Sequence, residues 1–146
     1  MIHLAFDYGE KRIGAAVGDD LTATARPLPV LTTGEWKAIE RAIADWRPSE
    51  LVVGLPLDES GAEQDISAAA RRFADELKRR TGLTVHLCDE RYSSRSADHE
   101  LRAARADGRM NRRVRKGDRD GEAARILLEQ WFQQRPERLS APPRDM

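Results

Sequence analysis

The first eighteen residues contain two apolar runs separated by a polar turn. Residues 2–6 are mostly apolar and lead into Asp7 and Gly9; a basic pair follows, and a second apolar run occupies residues 13–17. Short apolar runs bounded by turn residues predict two β-strands joined by a tight turn. A carboxylate near the end of a buried strand needs a metal ion, a cation or hydrogen-bond donors as a partner. Asp7 is therefore the first candidate for functional chemistry.

The rest of the pattern predicts one more strand and then alternating helices and strands. Residues 22–31 form a weaker run, whose two prolines favour an edge strand or an irregular one. Beyond it, apolar residues at helical spacing alternate with short apolar runs. The predicted elements are a helix at 35–46, a strand at 51–57, a helix at 66–80, a strand at 85–88, a helix reaching 105 from a cap at Ser94 or Ser96, a loop at 106–119 and a helix at 120–133.

This order, β-β-β-α-β-α-β-α-α, predicts an α/β fold with a mixed five-stranded sheet. Short links between the first three strands indicate an antiparallel meander. Strands four and five each follow a helix, which indicates right-handed parallel crossovers. In such a sheet, a ligand site is expected beyond the carboxyl ends of the parallel strands.

Composition narrows the class of protein. A chain of 146 residues predicts one domain, here 1–134, with a polar, proline-containing tail at 135–146 that we expect to be disordered. The formal net charge is zero, so the overall charge does not favour any class of partner. A single cysteine, Cys88, excludes a disulfide framework within one chain and suits a reducing compartment. Because no apolar run approaches eighteen residues, we expect a soluble cytoplasmic protein with no membrane partner.

Carboxylates lie where three predicted elements meet the expected site. Asp7 ends the first strand, Asp89 and Glu90 follow the fifth, and Asp120 opens the last helix at a position that shares the spacing of its apolar face. Side chains of adjacent strand residues point to opposite faces, so only one of Asp89 and Glu90 can face the site, and the pattern leaves that choice open. Asp120 has a second interpretation, as a plain helix N-cap.

A cluster of carboxylates predicts a hard divalent cation. Like charges at close range repel one another, and Mg²⁺ or Mn²⁺ bound to carboxylate oxygens removes that cost. Two such ions roughly 3.5–4 Å apart stabilise the attacking and leaving oxygens when a phosphodiester is cleaved. The three histidines lack the helical H-x-x-x-H spacing, so a zinc site is not expected.

Five motifs in the correct order resemble a known bacterial family. They are Phe6-Asp7-Tyr8-Gly9-x-Lys11-Arg12-Ile13-Gly14, Ala25-Arg26-Pro27-Leu28, Val52-Val53-Gly54-Leu55-Pro56-Leu57, Asp89-Glu90-Arg91, and Lys116-Gly117 with Asp120-x-x-Ala123-Ala124. The family is YqgF, also called RuvX, whose members are described as Holliday junction resolvases or pre-16S rRNA nucleases. The resemblance implies an RNase H-like fold and a catalytic, metal-binding trio of Asp7, Glu90 and Asp120, with Asp89 as the reserve ligand. Residues 58–61 depart from the family pattern, which leaves the detail of that loop open.

The segment from Arg102 to Arg119 is strongly basic. It carries eight basic and two acidic residues, a net charge of +6, so the rest of this neutral chain carries −6. A basic segment beside an acidic metal site suits an enzyme that holds and cuts a phosphate backbone, although a solvated loop is the simpler alternative. The predicted nucleic-acid contacts are Lys11, Arg12, Arg91, Arg112, Arg113, Arg115 and Lys116.

The predicted function is metal-dependent cleavage of structured nucleic acid. The resemblance fits both processing of pre-16S rRNA ends and resolution of four-way DNA junctions; we favour the rRNA ends, with junction resolution as the alternative, because the sequence shows no clear dimer surface for a symmetric resolvase. A symmetric resolvase implies a two-fold dimer, and the sequence leaves monomer or homodimer open. Two further alternatives are a nucleotide-binding lobe, because the Asp7–Gly14 hairpin also resembles the phosphate loop of the actin and sugar-kinase superfamily, and a non-catalytic scaffold.

Overall fold

The computed structural model describes residues 1–56, 60, 64–89 and 116–140, with the backbone alone for 116–118 and 135–140. Within these ranges the chain forms five strands and three helices. In chain order they are β1 (Ile2–Tyr8), β2 (Arg12–Asp19), β3 (Thr24–Thr32), α1 (Trp36–Trp46), β4 (Glu50–Leu55), α2 (Asp65–Thr81), β5 (Thr84–Asp89) and α3 (Lys116–Ser140).

The strands form one mixed sheet in the order β3-β2-β1-β4-β5. β1 pairs antiparallel with β2, and β2 pairs antiparallel with β3, so the predicted meander is confirmed. β4 lies parallel to β1, and β5 lies parallel to β4. The predicted parallel crossovers are confirmed as well, and the carboxyl ends of β1, β4 and β5 lie at one edge.

Alternation along β1 divides its side chains between two cores. Leu4 and Phe6 pack with residues of α1 and α2 on one face of the sheet. Ala5 packs on the other face with buried residues of α3, among them Leu127 and Trp131. The apolar face predicted for the last helix is therefore confirmed, and that helix covers the face of the sheet to which odd-numbered residues of β1 point.

β3 is an edge strand, as its prolines predict. Pro27 lies opposite Ala16 of β2, and the pairing with β2 shifts register between Ile13 and Ala15. Gly14 lies at this irregularity. Most of β3 is exposed or half-buried.

The bounds of the last helix differ from the prediction at both ends. α3 begins at Lys116 and not at Asp120, so the last four residues of the predicted loop are helical. Gly117 is a poor helix former, but a single glycine costs only about 1 kcal/mol and does not stop a helix. The helix continues past Gln133 to Ser140, through Pro136 and the first part of the segment expected to be disordered. The predicted helix before it, and residues 141–146, lie outside the described residues.

Two smaller predictions concern Cys88 and the membrane. Cys88 is a buried thiol that packs with Ala5 and Val52 beneath α3, as a core residue would. In the part of the chain that the structure describes, no helix is both long enough and apolar enough to cross a membrane.

Candidate active site

Asp7 lies at the carboxyl end of β1 on the face covered by α3. Its side chain follows Ala5 by two residues and so points to the same face. Its neighbours across the sheet are Gly14 on β2 and Gly54 on β4. Neither neighbour has a side chain, so neither strand places a Cβ atom beside the half-buried carboxylate of Asp7.

Gly14 also determines where Asp120 lies. A Cβ atom at Gly14 would overlap the backbone carbonyl of Asp120, so α3 rests on β2 backbone to backbone at this point. A second close approach follows at Gly121, where a Cβ would lie 3.0 Å from Cβ of Pro27. Asp7 and Asp120 are thus both neighbours of Gly14, although 113 residues separate them in sequence. The predicted convergence of these two segments is observed.

Asp120 forms an ion pair with Arg12. Nε of Arg12 donates a hydrogen bond to Oδ2 of Asp120 at 2.9 Å, and the two side chains are 39% and 24% exposed. Asp120 lies four residues inside α3, so the N-cap interpretation is wrong. Arg12, which is predicted to contact nucleic acid, thus also contacts a candidate metal ligand.

The β1–β2 turn forms one wall of a cavity beside this pair. The cavity has a volume of about 400 Å³ and is lined by Gly9, Glu10, Lys11, Arg12, Ile66 and Asp120. Thr33 holds the turn from the end of β3: its hydroxyl donates to the carbonyl of Gly9 at 2.7 Å, and its N–H donates to that of Lys11 at 3.1 Å. Lys11 therefore faces the same cavity as Asp120, on a turn fixed by hydrogen bonds.

The register of β5 gives the direction of the Asp89 side chain. Cys88 lies opposite Gly54, on the face of Asp7, whereas Asp89 lies opposite Leu55 on the other face. Asp89, the reserve ligand, therefore points away from Asp7 and Asp120. Glu90 lies outside the described residues.

The carboxylates fit a hard divalent cation by their chemistry. Asp7 and Asp120 offer oxygen ligands of the kind that Mg²⁺ and Mn²⁺ prefer. Among the described residues, no group of three acidic, histidine or cysteine side chains is placed to hold a metal ion. The third carboxylate predicted for this cluster, Glu90, lies outside those ranges.

Most of the remaining predicted nucleic-acid contacts also lie outside the described ranges. They are Arg91, Arg112, Arg113 and Arg115. The backbone of Lys116 forms the first residue of α3, one helical turn before Asp120. The end of the basic segment is thereby placed next to the candidate site.

A histidine–carboxylate cluster at the opposite end of the sheet was missed from the sequence. Oε1 of Glu50 lies 3.2 Å from Nε2 of the fully buried His3 and 3.1 Å from Nε2 of His86. Both rings pack on Trp131 of α3, with centroids 5.2 and 4.9 Å away. Partial burial raises the pKa of Glu50, but the hydrogen bonds and charges of His86 and His3 outweigh it, and the pKa lies below its ordinary value. Strand alternation was the signal, since all three residues face α3 once the register is known.

Comparison with known proteins identifies the family of this chain. A family model described as "RuvX: Holliday junction resolvase" matches residues 1–134. Curated relatives from Salmonella arizonae and Salmonella paratyphi B are each 44% identical over 135 residues, which cover 90% of this chain and 95% of theirs. Both carry the name "Putative pre-16S rRNA nuclease".

Solved structures are similar in fold. Thermus thermophilus RuvC in complex with a Holliday junction substrate has a TM-score of 0.57 at 17% identity, covering 93% of this chain and 96% of its own. A fowlpox virus resolvase in complex with Holliday junction DNA has a TM-score of 0.59 at 13% identity, covering 92% and 98%. At such low identities the likeness concerns the fold alone, and it confirms the predicted RNase H-like architecture.

Proposed function

The chain belongs to the RuvX family, and from this premise we propose that it is a metal-dependent nuclease that processes the ends of precursor 16S rRNA. The observation that carries the proposal is the meeting of Asp7 and Asp120 around Gly14, at the carboxyl edge of the parallel strands. Ligand sites are expected at that edge. The cavity beside it is lined by Lys11 and Arg12 as well as by Asp120.

We assign the metal ligands to Asp7, Glu90 and Asp120. The orientation of Asp89 toward the other face supports Glu90 as the third ligand. Two Mg²⁺ or Mn²⁺ ions bound there would supply an activated water and stabilise charge on the attacking and leaving oxygens. The role of the protein is to hold these carboxylates in place. The contact between the backbones of Gly14 and Asp120 does this for Asp120.

Basic residues next to the acidic site are proposed to hold the substrate backbone. Lys11 lies on a turn that Thr33 braces, so its ammonium group is displayed from a fixed base. We assign phosphate contacts near the cleaved bond to Lys11, Arg12 and Arg91. Phosphates farther along the nucleic acid are assigned to Arg112, Arg113, Arg115 and Lys116. Such contacts position a nucleic acid without reading its sequence.

RNA is favoured over branched DNA by the relatives. Proteins 44% identical to this chain are named for pre-16S rRNA, whereas the junction-bound structures are 17% identical or less. Four-way junction resolution is the second candidate, because the family description names it. It requires two related cuts and hence two active sites related by symmetry.

One experiment compares the two substrates directly. A precursor 16S rRNA end and a four-way DNA junction are incubated with the protein at identical salt and Mn²⁺ concentrations, alongside Asp7→Asn. We expect the wild type to cleave the rRNA end faster and Asp7→Asn to lose cleavage while retaining substrate binding. EDTA should abolish cleavage, with metal analysis confirming removal.

The other outcomes each overturn a stated part of the proposal. Faster junction cleavage would reverse the choice of substrate. Full activity after verified chelation, or in Asp7→Asn, would refute the metal mechanism. Binding without cleavage of either substrate would favour a scaffold, and specific ATP binding would favour the nucleotide-binding alternative.

A further inference from the structure

Arg12 and Asp120 neutralise each other at the mouth of the candidate site. The hydrogen bond of 2.9 Å uses Oδ2 of Asp120 and Nε of Arg12. Within the described ranges, the side chain of Arg12 bonds to no acceptor other than Asp120. A guanidinium group carries five N–H donors, so this arginine keeps capacity for a second anion while it holds the carboxylate.

A divalent cation and Arg12 compete for the same carboxylate. Asp120 repels a neighbouring carboxylate such as Asp7, and either positive group can relieve that repulsion. The arginine is 39% exposed and lines a cavity of about 400 Å³, so its side chain has room to move away from Asp120. Its backbone stays fixed, because it begins β2 opposite Thr32.

We propose that Arg12 exchanges partners during the reaction cycle: it holds Asp120 while the site is metal-free and moves to a phosphate oxygen of the substrate when a divalent cation takes Asp120. This inference rests on the proposed nuclease function and adds a positioning role for one residue. Arginine suits both partners, since its planar donor group binds carboxylate and phosphate alike.

The exchange couples the binding of metal and nucleic acid. Metal binding releases Arg12 and so strengthens substrate binding; by linkage, substrate binding strengthens metal binding by the same factor. An arginine that only braced α3 would give no such coupling. The two roles can therefore be distinguished by equilibrium binding without any measurement of cleavage.

The test compares Arg12→Gln with Lys11→Gln. Each variant removes one positive charge from the same cavity, but Lys11 forms no ion pair among the described residues. Mn²⁺ affinity is measured by calorimetry without nucleic acid. Because the pair is partly exposed, we expect Arg12→Gln to tighten Mn²⁺ binding by about two- to fivefold, and Lys11→Gln by a smaller factor. Arg12→Lys should restore most of the wild-type value.

A second measurement tests the coupling. Affinity for a precursor rRNA end is determined in EDTA and in Ca²⁺, which also takes oxygen ligands. In EDTA, Arg12→Gln should weaken binding no more than Lys11→Gln does. In Ca²⁺, Arg12→Gln should weaken RNA binding by a clearly larger factor than it does in EDTA, because Arg12 contacts the phosphate only when the cation has taken Asp120.

Failure of this inference differs from failure of the nuclease proposal. If Arg12→Gln binds Mn²⁺ no more tightly than Lys11→Gln, or if its effect on RNA affinity is equal in EDTA and Ca²⁺, the partner exchange is refuted. If Asp7→Asn and Asp120→Asn bind Mn²⁺ as the wild type does, the proposed metal site itself is refuted.

Discussion

Gly14 and Asp120 meet through their backbones, with no side chain between the strand and the helix. Side chains can change rotamer to accommodate small displacements, but a backbone contact leaves little freedom. The position of the Asp120 carboxylate therefore depends directly on the absence of a Cβ atom at residue 14. Gly14 belongs to the architecture of the site although it offers no functional group.

Replacement of Gly14 by alanine should move Asp120. The added methyl group overlaps the Asp120 carbonyl, so we expect a loss of about 1–3 kcal/mol in unfolding free energy from overpacking. Cleavage should fall on the order of 100-fold, as it does when a reacting group is displaced by about 1 Å. Denaturant unfolding and single-turnover cleavage measure the two effects.

Gly82→Ala is the control for stability alone. Gly82 ends α2 with a φ of +71° and open space around it, so alanine there costs about 1 kcal/mol through the left-handed backbone. Cleavage by Gly82→Ala should stay at the wild-type level at a temperature where it is folded. A Gly14→Ala protein that cleaved normally would mean that α3 can shift without cost to the site.

Glu90→Gln should abolish turnover, and Asp89→Asn should not. The register of β5 directs Asp89 to the face opposite Asp7. Loss of a direct metal ligand should exceed the roughly 10- to 100-fold loss seen when an outer partner of a ligand is removed. Cleavage rates and Mn²⁺ titrations on both variants decide the matter. The reverse pattern would mean that the Asp89 side chain reaches the face of Asp7, against the register of β5.

The basic segment should contribute to the salt dependence of binding. If Arg112, Arg113 and Arg115 each contact a phosphate, changing all three to alanine should flatten the slope of log affinity against log salt by roughly two to three units. Affinity should fall to a similar degree for unrelated sequences. Mn²⁺ affinity should change little, because the carboxylates are intact.

A matched triple variant separates contact from net charge. Lys37, Arg41 and Lys78 are exposed residues of α1 and α2, which cover the face of the sheet opposite Asp7. Changing these three to alanine removes the same charge and should leave the slope nearly unchanged. Equal slopes in the two triple variants would identify the basic segment as a solvated connector.

Glu50 should make stability depend on pH in the acid range. Its pKa in the folded protein lies below the ordinary value of 4.5 because of His86 and His3, despite the opposing effect of burial. A depressed pKa stabilises the fold above the unfolded pKa, and this contribution disappears as the pH falls through the folded pKa. Glu50→Gln should therefore cost roughly 1–2 kcal/mol at neutral pH and progressively less below pH 4.5.

Denaturant unfolding of both proteins across this range gives the difference directly. Glu40→Gln is the control, since Glu40 pairs with Arg80 at an exposed site and is 47% exposed. Its effect should be small at every pH. If the difference between wild type and Glu50→Gln stays constant down to the lowest pH, the cluster around Trp131 is held by packing and not by the charge of Glu50.

The sheet could be predicted because each strand is a local apolar run with turn residues at its ends. The parallel or antiparallel relation of neighbours then followed from the length of the link between them. The start of α3 could not be predicted from local preference. Aspartate is among the preferred N-cap residues, and Gly117 is a poor helix former three residues before Asp120. Local preference therefore predicted the wrong first residue, because a single glycine does not prevent a helix from extending through it.

The site could be predicted only in part, because its contacts are long-range. Asp7 and Asp120 were selected by residue type and spacing, but the ion pair between Arg12 and Asp120 joins positions 108 residues apart. No local pattern encodes such a pair. The cluster of His3, Glu50 and His86 is similar: each residue looks unremarkable in its own strand, and the strand register brings them together.

Pro27 and Pro29 on β3 also affect how copies of this chain can associate. A strand added to the free edge of the sheet needs backbone N–H groups from β3, and neither proline has one. The register shift near Gly14 also makes the pairing of β3 irregular, whereas an incoming strand pairs best with a regular edge. Growth of the sheet from one molecule into the next is therefore disfavoured at this edge. As far as the described residues show, the outer edge of β3 is therefore a poor surface for joining two copies of this chain.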